Sequence, residues 1–413
     1  MSGTDRVIVV GGGLGGLVAA RAFALAGREV LLLEREAQLG GRLRSHSVGG
    51  ITLDAGVDAF RLHGDELPRL LRALGLEGDV EGARDARTWL HRATGDAVPL
   101  PALSVWGIPG VPLARDVTHA IGAGAAWRAQ LDGLLPGLVA SKAATLEQLV
   151  IRRMGRGVLE GLVAPVVRAA YAATPAELEL DQLAPGVSRR VLSAGNLSGA
   201  VRSLLADAGQ AGRRSTLRGG LFRLADALGA ELERFGVEVR TGAEIVAADA
   251  ESVRSASGET LTGEVVLGAP LDEPRTHVTL VTLAFDAPEL AENPRGAGVV
   301  VAAGAPDVGA ARLDHLTATW GWLSDASALQ FVRLSYEAGV DATPAAAHRD
   351  AEVLLGRSLP RPIDSATVGV AHPRWHRDAE HAIDGMQRVG ESRSGPDLSR
   401  VVSYAARVAG ATP

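Results

Sequence analysis

Residues 7–36 read VIVVGGGLGGLVAARAFALAGREVLLLERE. Val7 to Val10 fit a short buried parallel strand, Leu14 to Ala26 carries helical spacing with small residues toward the loop, and Glu29 to Glu34 fits a second strand. Gly11, Gly13 and Gly16 stand in G-x-G-x-x-G order between the first strand and the helix, inside a β-α-β unit of about 30 residues. That context gives the glycines work to do. Gly11 permits the tight turn, Gly13 lets main chain approach a pyrophosphate, and Gly16 lets the helix close on the sheet. Leu14 and Gly15 open the helix, whose free amides and partial positive charge suit phosphates. Glu34, 18 positions after Gly16, stands where a carboxylate accepts both ribose hydroxyls and disfavours a 2′-phosphate.

A second set follows at once: Gly40-Gly41-Arg42, Ser45, then Leu53-Asp54-Ala55-Gly56 and Phe60. A nicotinamide enzyme needs no second glycine pair here, whereas a longer dinucleotide needs a second main-chain approach, with an arginine against its pyrophosphate.

The whole chain sets the limits. Its 413 residues, 46% of them hydrophobic, exceed one ordinary domain. It has no cysteine, so disulfides, a thiol nucleophile and a redox dithiol are excluded and redox chemistry falls to a bound cofactor. A formal charge of −6 gives no footprint for nucleic acid or for strong attraction to anionic lipid. No stretch reaches the ~20 apolar residues of a membrane span, and the N-terminus lacks a signal pattern. The expectation is a soluble, cytoplasmic protein, with peripheral membrane contact left open. Lys142 is the only lysine, and the abundance of Arg, Ala and Gly reads as codon bias. No HxxH or HExxH motif occurs, so no metal site is expected. His372, His376 and His381, with Arg374 and Arg377, read as a polar surface segment.

Between Pro68 and Leu205 helical patterns dominate, interrupted by VPLPALSVWGIPGVPL at 98–113. Strand character returns at 237–249 and 264–270, and period-two alternation marks 277–286, 298–304 and part of 329–337. This suggests two interleaved domains.

The run Glu34, GGR at 40–42, Ser45 and LD-x-G at 53–56 resembles the flavin amine oxidase superfamily. Four stretches, 158–181, 217–242, 278–290 and 313–325, sharpen the resemblance to the oxygen-dependent protoporphyrinogen and coproporphyrinogen oxidases, particularly the forms from GC-rich Gram-positive bacteria. The resemblance implies an α/β fold in which a Rossmann-type FAD-binding domain (1–90, 206–270 and a remnant at 386–413) is interleaved with a helical-plus-antiparallel-sheet substrate domain (91–205 and 271–385). It implies FAD held by Gly11, Gly13, Leu14, Gly15, Gly16, Glu34, Arg35, Gly40, Gly41, Arg42, Gly56 and Ala243. Tyr171, Gly219 and Gly220 are its cavity candidates, with catalysis centred on the flavin and no named catalytic side chain. It implies dehydrogenation of a porphyrinogen, coproporphyrinogen III or protoporphyrinogen IX, to the porphyrin in haem biosynthesis, with oxygen reoxidising the flavin. Arg152, Arg153 and Arg168 are candidates for substrate propionates, and Trp320 and Trp322 read as sheet-core residues. The oligomeric state stays open.

Two departures stand out. Ala169 and Ala170 precede Tyr171 where the family usually has glycine. At the end, PDLSRVVSYAARVAGATP reads as a strand at Arg400 to Ser403 with no closing helix facing the flavin, so weak FAD retention is expected unless the segment Ala371 to Gly390 closes the site. The alternatives are an amine oxidase, a desaturase, or a non-catalytic porphyrin-binding relative. Lys142, in the wrong segment to stand beside a flavin, and a total of only three tyrosines count against the amine oxidase.

Overall fold

The computed structural model describes residues 6–139, 142–183, 186–209, 213–269, 271, 275–373 and 386–410. Arg374, His376, Arg377 and His381 lie outside the described residues. Strands Arg6–Val10 and Glu29–Leu33 flank the helix Leu14–Leu25 and pair in parallel. Their side chains are almost wholly buried because helices cover one face and other packing covers the other, which is why both strands read as unbroken apolar runs. Among the described residues this sheet has five parallel strands, ordered Glu238–Arg240, Glu29–Leu33, Arg6–Val10, Glu264–Leu267, Gln387–Arg388. Three distant stretches of chain thus build one sheet.

A second sheet has seven strands among the described residues: Asp364–Pro373, Arg275–Phe285, Gln330–Glu337, Arg312–His315, Gly298–Val301, Thr88–His91, Ala97–Pro99. It is antiparallel except where Gly298–Val301 runs beside Thr88–His91. One face buries Val281, Leu283, Phe285 and Leu334 against the helix Pro344–Leu355. Helices from Arg115–Gln130 to Leu197–Ala208 form a further unit with its own core around Leu149, Val150, Val163 and Val191.

Two expectations need correction. The reading of 68–205 as helical overlooked Val80–Gly82, Thr88–His91 and Ala97–Pro99. These strands are short and partly polar; Thr88–His91 forms a hairpin with Ala97–Pro99 and joins the rest of the sheet only through Gly298–Val301, some 210 positions later, so no run of alternation long enough to read announces them. The expected boundary at 90/91 falls inside that strand. The end of the chain also differs from the expectation. Arg400 to Ser403 is not a strand but the middle of the helix Leu398–Val408. Leu398, Val401, Val402 and Ala405 fall at i, i+3, i+4 and i+7, Asp397 caps the helix by accepting from the Arg400 amide at 3.2 Å, and the buried stripe packs on Leu14–Leu25. The strand before it is Gln387–Arg388, so strand, glycine turn and closing helix are all present.

Candidate functional site

At the carboxyl ends of the parallel strands lies a cleft of about 490 Å³. Gly11 sits at its head with φ +102°, its amide donating to the Leu33 carbonyl at 2.7 Å, and an added Cβ there would come within 2.6 Å of the Ala269 Cβ. At Gly16 an added Cβ would fall 1.9 Å from the Gly11 carbonyl oxygen, so helix and turn touch through main chain. Gly13 differs: a Cβ there would meet nothing within 4 Å, because that direction is open cleft. The Gly40 amide donates to the Gly12 carbonyl at 2.8 Å, and a Cβ on Gly41 would lie 3.2 Å from the Gly13 Cα. The two glycine sets therefore form one side-chain-free floor.

Glu34 is buried at the edge of that floor. One carboxylate oxygen accepts from the Gly12 amide at 2.6 Å, the other from the Glu36 amide at 2.8 Å. Each oxygen keeps a lone pair for a further donor. Arg42 reaches across: one terminal nitrogen pairs with Glu391 and the other lies 3.0 Å from His372 Nδ1. Burial, with Arg42 adding to it, lowers His372 to about 3, so the ring is neutral and its Nδ1 accepts from the guanidinium.

Of the residues expected at a cofactor, Gly11, Gly13, Leu14, Gly15, Glu34, Arg35, Gly40, Gly41, Arg42 and Ala243 line the cleft. Gly16 and Gly56 do not; they let main chain pack beneath the wall, Gly56 because a Cβ would lie 2.5 Å from the Arg42 carbonyl oxygen, while its neighbour Val57 is the lining residue. Arg42, expected against a pyrophosphate, is instead engaged with Glu391. Gly219 and Gly220, at φ +84° and +110°, stand just ahead of the helix Phe222–Arg234 and outside the cleft wall; Asp54 accepts from the Leu221 and Phe222 amides at 2.9 and 2.8 Å. Tyr171 is partly buried against the helical core, in the electrostatic neighbourhood of Arg61, Asp397 and Arg400, and loss of solvent raises its hydroxyl above the usual range. Trp320 packs with Leu53, Ala284 and Phe331, as a core residue.

The sequence reading does not reach most of the far wall: Glu391, Leu398, Val401, His277 and Val370. Ala371 and Gly390, the ends of the segment held in reserve to close the site, do line the cleft. The available signal was Gly390-Glu391 before the helical stripe of 398–405. The propionate candidates fare worse. Arg153 is fully buried within the helical unit, donating to Asp132 Oδ1 at 2.6 Å and to carbonyls of Pro136 and Val139. Arg168 makes a two-point contact with Glu337.

The floor fits a dinucleotide. Main-chain amides, an open Cβ direction at Gly13 and a carboxylate at the ribose end converge, and the cleft continues from Glu34 past Arg42 to Val370 and Leu398.

Comparison with known proteins agrees. The family profile described as flavin containing amine oxidoreductase matches residues 14–302. A coproporphyrinogen III oxidase of Mycobacterium leprae (strain TN) is 30% identical over 79% of this chain and 76% of its own length. Another, from Propionibacterium freudenreichii subsp. freudenreichii, is 25% identical over 65% of this chain and 59% of its own. The crystal structure of an Exiguobacterium sp. 255-15 protein assigned as a protoporphyrinogen oxidase superposes with TM-score 0.80, 22% identity, and 99% and 98% coverage.

Proposed function

The chain belongs to the flavin-containing amine oxidoreductase family, and on that premise we propose that it is a porphyrinogen oxidase, converting coproporphyrinogen III to coproporphyrin III with oxygen. Its cofactor is FAD and its class is oxidoreductase. The 30% identity to a coproporphyrinogen III oxidase across 79% of the chain carries the substrate, since the cleft alone reaches only a flavin-dependent oxidoreductase. Bound FAD supplies a two-electron acceptor that oxygen can regenerate. The overall change removes six hydrogens from the macrocycle, with three O₂ reduced to three H₂O₂.

The chain's own part is position and shelter. Glu34 would hold the ribose, the Gly11–Gly16 turn and Gly40–Gly41 would admit the pyrophosphate, and Val370, Leu398 and Val401 would exclude water beside the ring system. Lys142 is exposed in the helical unit and lies outside the cleft wall, so no lysine stands beside the flavin, which favours a porphyrinogen over an amine. No helix of the described residues is long and apolar enough to cross a membrane.

The test is to add FAD, supply each porphyrinogen, and follow porphyrin fluorescence with oxygen uptake. Coproporphyrinogen is expected to react faster, consuming three oxygens per porphyrin. Spermine that bleaches the flavin without oxygen, together with no porphyrin above spontaneous oxidation, overturns the reading.

A further inference from the structure

The register of the seven-stranded sheet decides which side chains share its inner face. Val278 stands opposite Val370, Leu280 opposite Ser335, Ser335 opposite Arg312, and Arg333 opposite Asp314. One face therefore runs from an apolar half, Val278, Leu280 and Val370, to a charged half, Arg333, Arg312 and Asp314. The apolar half meets Ala172, just after Tyr171, and Val370 also lines the cofactor cleft. The charged half is the continuation of that wall.

Its charges are unequally engaged. Arg333, 5% exposed, donates to Asp58 Oδ2 at 2.5 Å and to the Asp54 carbonyl at 3.0 Å. Asp54 itself spends its carboxylate on the Leu221 and Phe222 amides. Arg312 places two donors on a single oxygen of Asp314. Arg214 reaches Asp58 only at 3.6 Å, longer than a hydrogen bond, and lies over the Trp320 ring at 5.6 Å. Exposure rises outward, from 11% at Asp314 and 15% at Asp58 to 25% at Arg312 and 30% at Arg214. Of Arg333, Arg312, Arg214, Asp58 and Asp314, the two most exposed are both cations. Burial presses Arg214 toward losing its charge, Asp58 and Asp314 oppose it, and Arg312 and Arg61 add to it; a bound anion would side with the two carboxylates.

The geometry points to Arg214 and Arg312 as the carboxylate-recognition pair of the substrate site, holding a propionate-type carboxylate while the macrocycle lies across Val278, Leu280 and Val370 toward the cleft. This rests on the porphyrinogen reading. Guanidinium donors suit a carboxylate in two-point contact, and a pair beside an indole holds it away from bulk water.

The experiment titrates FAD-loaded protein with coproporphyrin III, as the free acid and as its tetramethyl ester, following porphyrin fluorescence. Wild type is expected to bind the acid at least tenfold more tightly than the ester. Arg214→Met and Arg312→Met should each weaken the acid by about one to two decades and leave the ester unchanged, with Arg214→Lys in between. Equal binding of acid and ester by wild type overturns the assignment without any variant. So does wild-type affinity for the acid in both methionine variants; in either case the porphyrinogen reading stands if turnover is seen. Wild type that binds neither compound and forms no porphyrin from a porphyrinogen overturns that reading and this assignment together.

Discussion

The cofactor cleft and the core of the helical unit handle polar groups by opposite means. In the cleft the work is done by main chain and by missing Cβ atoms: the Gly13 direction is left open, Gly16 touches the Gly11 carbonyl, and Glu34 is held by two amides. In the helical unit a single side chain is saturated. Arg153 gives its donors to Asp132 and to the carbonyls of Asp132, Pro136, Val139 and Gly195, while the other Asp132 oxygen accepts from Ser198. An arginine with every N–H used is structural; one left at 3.6 Å from its carboxylate, like Arg214, is open to a ligand.

The largest effect is expected where saturation is broken. Arg153→Met would leave Asp132 ionised and buried without its partner, which costs about 3–5 kcal/mol. Urea unfolding should show that loss, and a change under about 1 kcal/mol would mean water or another donor replaces the guanidinium. The counterpart in the cleft should behave differently. A Cβ at Gly13 meets nothing within 4 Å and the φ of −71° suits any residue, so in Gly13→Val the fold should persist while the side chain occupies the pyrophosphate path. FAD affinity should fall at least roughly a hundredfold, about 2.7 kcal/mol. Unaltered flavin binding by a folded Gly13→Val protein would place the cofactor elsewhere.

Glu34→Ala comes next. Loss of charge-assisted hydrogen bonds to the ribose should lower FAD affinity by about one to two decades. Because Glu34 also holds the Gly12 and Glu36 amides, thermal stability without FAD should fall as well, by about 1 kcal/mol. A flavin titration matching the parent would remove Glu34 from the site.

The same contrast explains what could be read beforehand. The β-α-β unit is local: strand, glycines, helix and Glu34 lie within 30 positions, and each glycine has a main-chain reason visible in its spacing. The far wall is not local. Val370, Leu398 and Val401 reach the cleft through strand pairing and helix packing that no short window records. At 400–403 a strand and a helix both accommodate the Val401-Val402 pair, and Asp397 as a cap decides for the helix. Arginine roles were least legible. Arg153 and Arg214 look alike in sequence, and only the count of acceptors around each separates them.

The smallest effect concerns His372, where the cleft behaves like the helical core by burying a polar ring. Burial lowers His46 and His315 to about 4 and His372 to about 3, with Arg333 adding to the first and Arg42 to the last. An unfolded histidine takes up its proton near pH 6.5. Between 6.5 and about 4 the unfolded chain therefore binds up to three more protons than the folded one at these rings, and stability falls as pH falls. Asp54 acts in the opposite sense, because burial outweighs its two amide bonds and pushes it up to about 7, so the folded state takes its proton first. The net is about two protons, or roughly 2.7 kcal/mol per pH unit at most. His372→Asn retains an acceptor for Arg42 and removes one titrating ring, so the slope of unfolding free energy against pH between 5 and 6 should shrink by about one proton, other groups cancelling in the comparison. An unchanged slope would mean that His372 is protonated in the folded protein, and that Arg42 is held by Glu391 alone.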